Sequence, residues 1–266
     1  MKTAYVTEFV KLLNDIDPSK RRSEVFADFC ELTYCALSKV PCPFEEQREA
    51  LEKQYMEVVG RYRNKDDVRK MPEMLALTLE AIHTGGIDFL GTVAGEIGAL
   101  DARLGQFFTP YEISRMMAEI NLTGVEQTIE ENGFVTVSEP AAGAGGMILA
   151  VADKIEGLGF DPSRHLWVEA VELSRSTYYM GFIQINARGV AGQVVCGNSL
   201  TMERFTGAYT AAAPVFMAEH GHPFAKQRAE RAAQLEEEAA AKAARMNDLA
   251  NTPTTNDAVQ LGLFDF

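Results

Sequence analysis

Hydrophobic positions recur at helical spacing through the first hundred residues. "MKTAYVTEFVKLLNDID" sets Glu8, Lys11 and Asp15 among its apolar positions, which predicts an amphipathic helix and not a leader peptide. "EVFADFCELTYCALSKV" puts Val25, Phe26, Phe29, Leu32 and Ala36 close to one stripe. "CPFEEQREALEKQYMEVVGRY" opens with Pro43 and acidic residues, good helix-start chemistry, and aligns Leu51, Tyr55, Val58 and Val59. "MPEMLALTLEAIHTGG" predicts a helix stopped at Gly85-Gly86, and "IDFLGTVAGEIGAL" a shorter one after it.

From residue 105 the period changes. β-branched runs at 134–138, 166–171 and 193–196 alternate with helical patterns at 147–156 and about 175–187. That alternation predicts an α/β region built on a parallel sheet. After Leu200 the pattern weakens, and one more short strand is predicted around Pro214–Met217. Residues 223–247 are rich in Ala, Glu, Lys and Arg, with Glu238 and Lys242 four apart, and predict a solvated helix. The chain therefore divides into a helical region (1–104), an α/β region (105–217), a charged helix (218–248) and a tail (249–266).

Composition narrows the class. A 47% hydrophobic and 24% charged chain of 266 residues is that of an ordinary globular protein. None of its apolar runs approaches the ~18–20 residues of a membrane span. Four cysteines without CxxC spacing argue against a zinc site and for reduced thiols in the cytoplasm. A net charge of −13 counts against tight stand-alone binding to nucleic acid, because such binding rests on neutralising phosphates.

The first chemical signal is "VTVSEPAAGAGGMILA", a strand, a glycine loop and a helix start. A dinucleotide loop asks for a third glycine where Ile148 stands, and a P-loop asks for a lysine that does not follow. Glu139 at the strand end repels a pyrophosphate and suits a ligand with a positive amino group. S-adenosylmethionine, with an ammonium, a sulfonium and no phosphate, fits. Glu172 ends the next strand, where a carboxylate accepts from ribose hydroxyls. Asn198 follows the third strand and can pair with an adenine amino group. Upstream, "LGQFFTPYEISRMMAEI" predicts a helix with Thr109 as N-cap, Pro110 at the first helical position and Glu112 in the first turn. The free N–H groups of such a start suit a carboxylate, and Phe107 and Phe108 offer aromatic faces.

"GQFFTP", "EPAAGAGG", "VEAVEL" and "GNSL" together resemble the adenine-N6 DNA methyltransferases, in particular the modification subunits of type I restriction systems and phage or plasmid relatives. The resemblance spans about residues 86–200 and is most specific at 105–110. It implies a Rossmann-like methyltransferase sheet preceded by a helical region. It also implies S-adenosylmethionine held by Phe107, Phe108, Thr109, Pro110, Glu139, Pro140, Ala142, Gly143, Gly145, Glu172 and Asn198, with no metal. Glu139 stands for the family's usual Asp, and Ala142 for its usual small polar residue.

Two departures follow. The family's catalytic tetrapeptide, Asn/Asp-Pro-Pro-Tyr/Phe, holds an extruded adenine, yet "YTAAAPVFM" keeps one proline and an aromatic without the polar side chain. The candidates left there are Tyr209, Pro214 and Phe216. The three or four readable strands also make the sheet incomplete. Finally, Gln260, Leu261, Leu263 and Phe264 resemble the peptide by which bacterial replication proteins dock on the β sliding clamp. Three functions stay open: an adenine methyltransferase, a non-catalytic S-adenosylmethionine-binding protein acting through the clamp or a partner subunit, and a methyltransferase for small molecules or proteins.

Overall fold

The computed structural model describes residues 2–99 and 108–224, together with 233–236 and 242. The first six helices are α1 (Lys2–Asn14), α2 (Arg22–Ser38), α3 (Glu45–Gly60), α4 (Lys65–Arg69), α5 (Met71–His83) and α6 (Phe89–Glu96). Only α4 lacks a counterpart in the hydrophobic pattern. It is a single turn started by Asn64, whose side chain accepts the Asp66 N–H. An aromatic cluster binds this layer: Phe9 meets Phe29 and Phe89 edge-on, with centroids 5.2 and 5.6 Å away. All three rings are fully buried, each worth about 1.5–3 kcal/mol by transfer.

Next come α7 (Tyr111–Asn121), α8 (Val125–Asn132), β1 (Val135–Glu139), α9 (Gly146–Gly157), α10 (Pro162–His165), β2 (Leu166–Glu172), α11 (Arg175–Ala187) and β3 (Ala191–Asn198). Then β4 (Glu203–Tyr209) and α12 (Ala213–His220) follow. The sheet order is β1-β2-β3-β4. β1, β2 and β3 are parallel, and β4 returns antiparallel to β3. The strand predicted at Pro214–Met217 is instead the start of α12. Pro214 occupies the first turn, where its fixed φ and missing N–H are tolerated. The fourth strand lies earlier. Its residues are mostly exposed, so no buried face marked it in the sequence, and backbone pairing alone defines it.

Helix α11 is buried at every position from Thr177 to Ile185. A helix buried all round sits between layers, here between the N-terminal helices and the sheet. Tyr34 of α2 stacks on Tyr179 at 4.7 Å and meets Phe182 edge-on at 5.1 Å. Val168, Ala170 and Val194 join this main core. Trp167 points to the other sheet face, as strand alternation requires, and is covered by Phe216 at 5.2 Å and Tyr209 at 6.3 Å. Among the described residues β1 pairs only with β2, and its Thr136 and Ser138 are exposed. Residues 1–221 form one compact unit and residues 222–266 a second. In the second, residues 233–236 and 242 are helical and exposed.

Candidate functional site

Three loops converge at the carboxyl ends of β1, β2 and β3. Parallel α/β sheets bind ligands at that edge, since the connections leave a crevice there. β1 delivers Glu139, whose Oε1 accepts the Ala141 N–H at 3.0 Å and starts the turn through Pro140. The Ala142 N–H donates to the Val171 carbonyl at 2.9 Å, and the Gly145 N–H to the Ala142 carbonyl at 2.8 Å. Gly143 and Gly145 sit at φ +57° and +92°, a region other residues enter only under strain. Gly145 is also the N-cap of α9, so the first N–H groups of that helix face the loop.

Glu172 ties this loop to β2. Its Oε2 accepts the Gly143 N–H at 2.9 Å, and its Oε1 accepts the Ser174 N–H at 2.7 Å. Each carboxylate oxygen keeps a second lone pair for a hydroxyl. Asn198 departs further from expectation. Its Oδ1 accepts the N–H groups of Leu200 and Thr201 at 3.0 and 3.2 Å. The carbonyl end predicted to receive an adenine amine thus holds the turn, and the amide NH2 is the end left over.

The upstream segment reaches the same place. A Cβ on Gly143 would lie 3.4 Å from Phe108 Cδ1, so the half-buried Phe108 ring lies against the loop. Thr109 and Pro110 are exposed. Thr109 is not the N-cap. Pro110 takes that place with φ −53° and ψ 136°, and the helix begins at Tyr111. Phe107 lies outside the described residues, as do Gln260, Leu261, Leu263 and Phe264.

A supporting shell escaped sequence reading. Gly181 brings α11 so near that a Cβ there would stand 2.9 Å from the Gly143 carbonyl oxygen. Gln184 Nε2 donates to the Ala144 carbonyl and to Asp88 Oδ1, both at 2.7 Å, while its Oε1 accepts the Leu90 N–H at 2.9 Å. Asp88 also accepts the Gly91 N–H at 3.0 Å as N-cap of α6. It is buried, and that burial pushes its carboxyl above the usual range. Asp153 of α9 receives the Gly86 N–H, the Tyr111 hydroxyl and, at 3.1 Å, Arg188 Nε. Both ends of the segment between α5 and α7 are therefore pinned to the helix that follows the glycine loop.

The three candidates for holding a substrate do not stand at this edge. β4 starts beside Asn198 and runs down β3, so Tyr209 pairs with Gln193. Phe216 is buried against Trp167 and Phe134, at the amino ends of the strands. Pro214 lies in the first turn of α12, beyond Tyr209. The aromatic of this segment nearest the edge is Phe205, which is half exposed. It is the extra residue of a bulge, since Cys196 pairs with Thr206 and Gly197 with Arg204. Bulges re-aim side chains next to sites, and no hydrophobic period announces one.

Electrostatically the glycine-loop side of the edge is acidic. Glu139 and Glu172 end adjacent strands, and residues 139–146 contain no Lys or Arg. That set disfavours a pyrophosphate and suits a ligand carrying cationic centres and hydroxyls. Among the described residues no group of three or more His, Cys, Asp or Glu could hold a metal, and no helix is long and apolar enough to cross a membrane.

The family comparison agrees with this chemistry. The family model described as N-6 DNA methylase matches residues 93–256, more than half of the chain. No curated protein matches the sequence. A solved Listeria monocytogenes protein, described as a class I S-adenosylmethionine-dependent methyltransferase, is 12% identical over 82% of this chain and 69% of its own. Its TM-score of 0.37 is too low to transfer residue positions.

Proposed function

The chain belongs to the N-6 DNA methylase family, and on that premise we propose that it is the cofactor-holding subunit of a DNA adenine-N6 methyltransferase completed by a partner chain. S-adenosylmethionine is the cofactor, and it supplies an electrophilic methyl group. The residues of this chain bind and orient it. Gly143 and Gly145 allow close approach of the loop, Glu172 offers acceptors to hydroxyls, and Glu139 favours an ammonium. Phe108 lies against the loop and presents aromatic surface there.

The direction of β4 carries the partner reading. It leads the chain away from the cofactor edge, and Tyr209, Pro214 and Phe216 go with it. A base needs a polar acceptor for its amine and an aromatic to stack on. Phe205 offers the second, while the first is the missing Asn or Asp of the tetrapeptide. The outer edge of β1, next to Glu139, is where an added strand would bring such a group within reach. The tail at Gln260, Leu261, Leu263 and Phe264 would add recruitment by the β sliding clamp, raising local concentration on DNA for a chain of net charge −13.

Tritiated-methyl transfer from S-adenosylmethionine to unmethylated DNA tests this, with the chain alone, with the clamp and with co-purifying subunits. The expected product after digestion is N6-methyladenine, formed only when a partner is present. Methyl transfer to protein or small molecules refutes the adenine assignment. Cofactor binding without transfer under all conditions favours the second reading, a non-catalytic S-adenosylmethionine-binding subunit. The displaced Tyr209 and Phe216 support that alternative.

A further inference from the structure

A second cavity of about 730 Å³ lies along the outer edge of β4, away from the glycine loop. Residues 206–209 of β4 form one wall, the α2–α3 connection at Pro41–Phe44 another, and Tyr34 and Tyr179 the floor. Neither Glu172, Asn198 nor any residue of the glycine loop lines it. Its size is that of a small-molecule site, and its chemistry narrows the ligand.

Phe44, on its rim, is 62% exposed. Pro41 and Pro43 stiffen the connection that presents it. An exposed aromatic face over a cavity suits a planar ring. Two amides inside have one end occupied and one end to spare. Gln54 Nε2 donates to Glu31 and to the Tyr179 hydroxyl, both at 2.8 Å, which leaves its Oε1. Gln193 Oε1 accepts Arg204 Nη2 at 2.7 Å, which leaves its Nε2. A spare acceptor and a spare donor match the edge of a heterocycle.

The charge is the third element. Nearby carboxylates are already engaged: Glu31 with Arg61, Glu52 with Lys39. Arg175 lines the cavity, and among the described residues it meets no carboxylate. It stands toward the carboxyl end of β2, because it opens the helix that follows that strand. A guanidinium with no carboxylate partner among the described residues suits an anion, and guanidinium is the group suited to phosphate.

We propose that this cavity binds a nucleotide, its base against Phe44 and the glutamine amides and its phosphate at Arg175. Neither the glycine loop nor Glu172 or Asn198 contributes to the site, which does not depend on the function proposed above. The nucleotide could be free or be a unit of single-stranded DNA, and the two sources present the same chemistry.

Cys42 reports on the site. It lines the cavity and is partly exposed, whereas Cys30, Cys35 and Cys196 are buried. The rate of Cys42 alkylation by iodoacetamide, located by peptide mass mapping on the intact chain, is measured with deoxyadenosine monophosphate, deoxyadenosine, a short single-stranded oligodeoxynucleotide or S-adenosylmethionine. At about ten times its dissociation constant, a ligand in the cavity slows alkylation about tenfold. Protection by the mononucleotide supports a free nucleotide, and protection by the oligonucleotide alone supports a strand. Arg175→Gln should weaken that protection about tenfold, with the ligand-free alkylation rate unchanged. Three results overturn the proposal: no protection by either phosphate-bearing ligand, equal protection by deoxyadenosine, or protection by S-adenosylmethionine alone.

Discussion

Gly181→Ala adds one methyl group where α11 touches the glycine loop. The new Cβ would lie 2.9 Å from the Gly143 carbonyl oxygen, 3.6 Å from the Ala144 carbonyl carbon and 3.7 Å from the Gly145 nitrogen. Ordinary contacts begin at 3.4 Å, so something must move by about half an ångström, and the overlap with backbone leaves no rotamer to relieve it. Helix α11 is buried from Thr177 to Ile185 and cannot withdraw. The loop is the part that yields. Overpacking of this kind costs about 1–3 kcal/mol. Alanine recovers about 1 kcal/mol as the better helix former. Net stability should therefore fall by at most about 2 kcal/mol, or about 4–8 °C in Tm for a unit of this size. Cofactor binding receives no such offset. If S-adenosylmethionine needs the loop in its present place, 1–3 kcal/mol of strain weakens binding about 5- to 150-fold. Calorimetric titration and thermal unfolding separate the two effects. Gly95→Ala, in α6 with nothing within 4 Å of its Cβ, is the control and should bind normally. Wild-type affinity in a well-folded Gly181→Ala protein would mean that this loop does not hold the cofactor.

Glu172→Gln leaves one backbone N–H, of Gly143 or of Ser174, facing an amide NH2; on a half-buried group this should cost about 1–2 kcal/mol. It should lower the urea midpoint without changing m and weaken S-adenosylmethionine binding, and an unchanged affinity would contradict the assignment. Asp88 gives a pH signature. Its raised pKa means that the folded chain keeps a proton the unfolded chain releases, so stability falls as pH rises from about 4 to the raised value and then levels. Asp88→Asn retains the Oδ1 acceptor for Gly91 and Gln184, removes the charge and should flatten that slope; urea unfolding between about pH 4 and 8 checks it.

Apart from α4, the helices of residues 1–99, the three parallel strands and the glycine loop are legible because each buries a periodic face or needs φ above zero. Glu172 reads as a ligand group because its position follows from strand-end chemistry. Its bond to Gly143 comes from a loop 29 residues away and has no sequence period. The sequence shows the amide of Asn198, and the two turn N–H groups that claim its oxygen are visible only in the folded chain. Gln184 sits among apolar neighbours on a buried helix, and nothing local says that its amide spans Asp88 and Ala144. β4 failed for a different reason. Its side chains are largely exposed, so the hydrophobic pattern favoured "APVFM", whose burial is that of a helix face.

The bond from Gln184 to Ala144, and its partners Asp88 and Leu90, bear on how this chain can be cut. By motif content the cofactor module opens at about residue 105, and the helices before it look dispensable. By hydrogen bonding it opens no later than residue 88. A fragment that begins at the aromatic motif strands a buried glutamine amide beside the glycine loop, and it strips one side of a helix that has no solvent-facing side to spare. For such a chain the heritable unit is wider than the recognisable one. Recombination that exchanged the loop without its helical layer would pass on the signature and lose the shape.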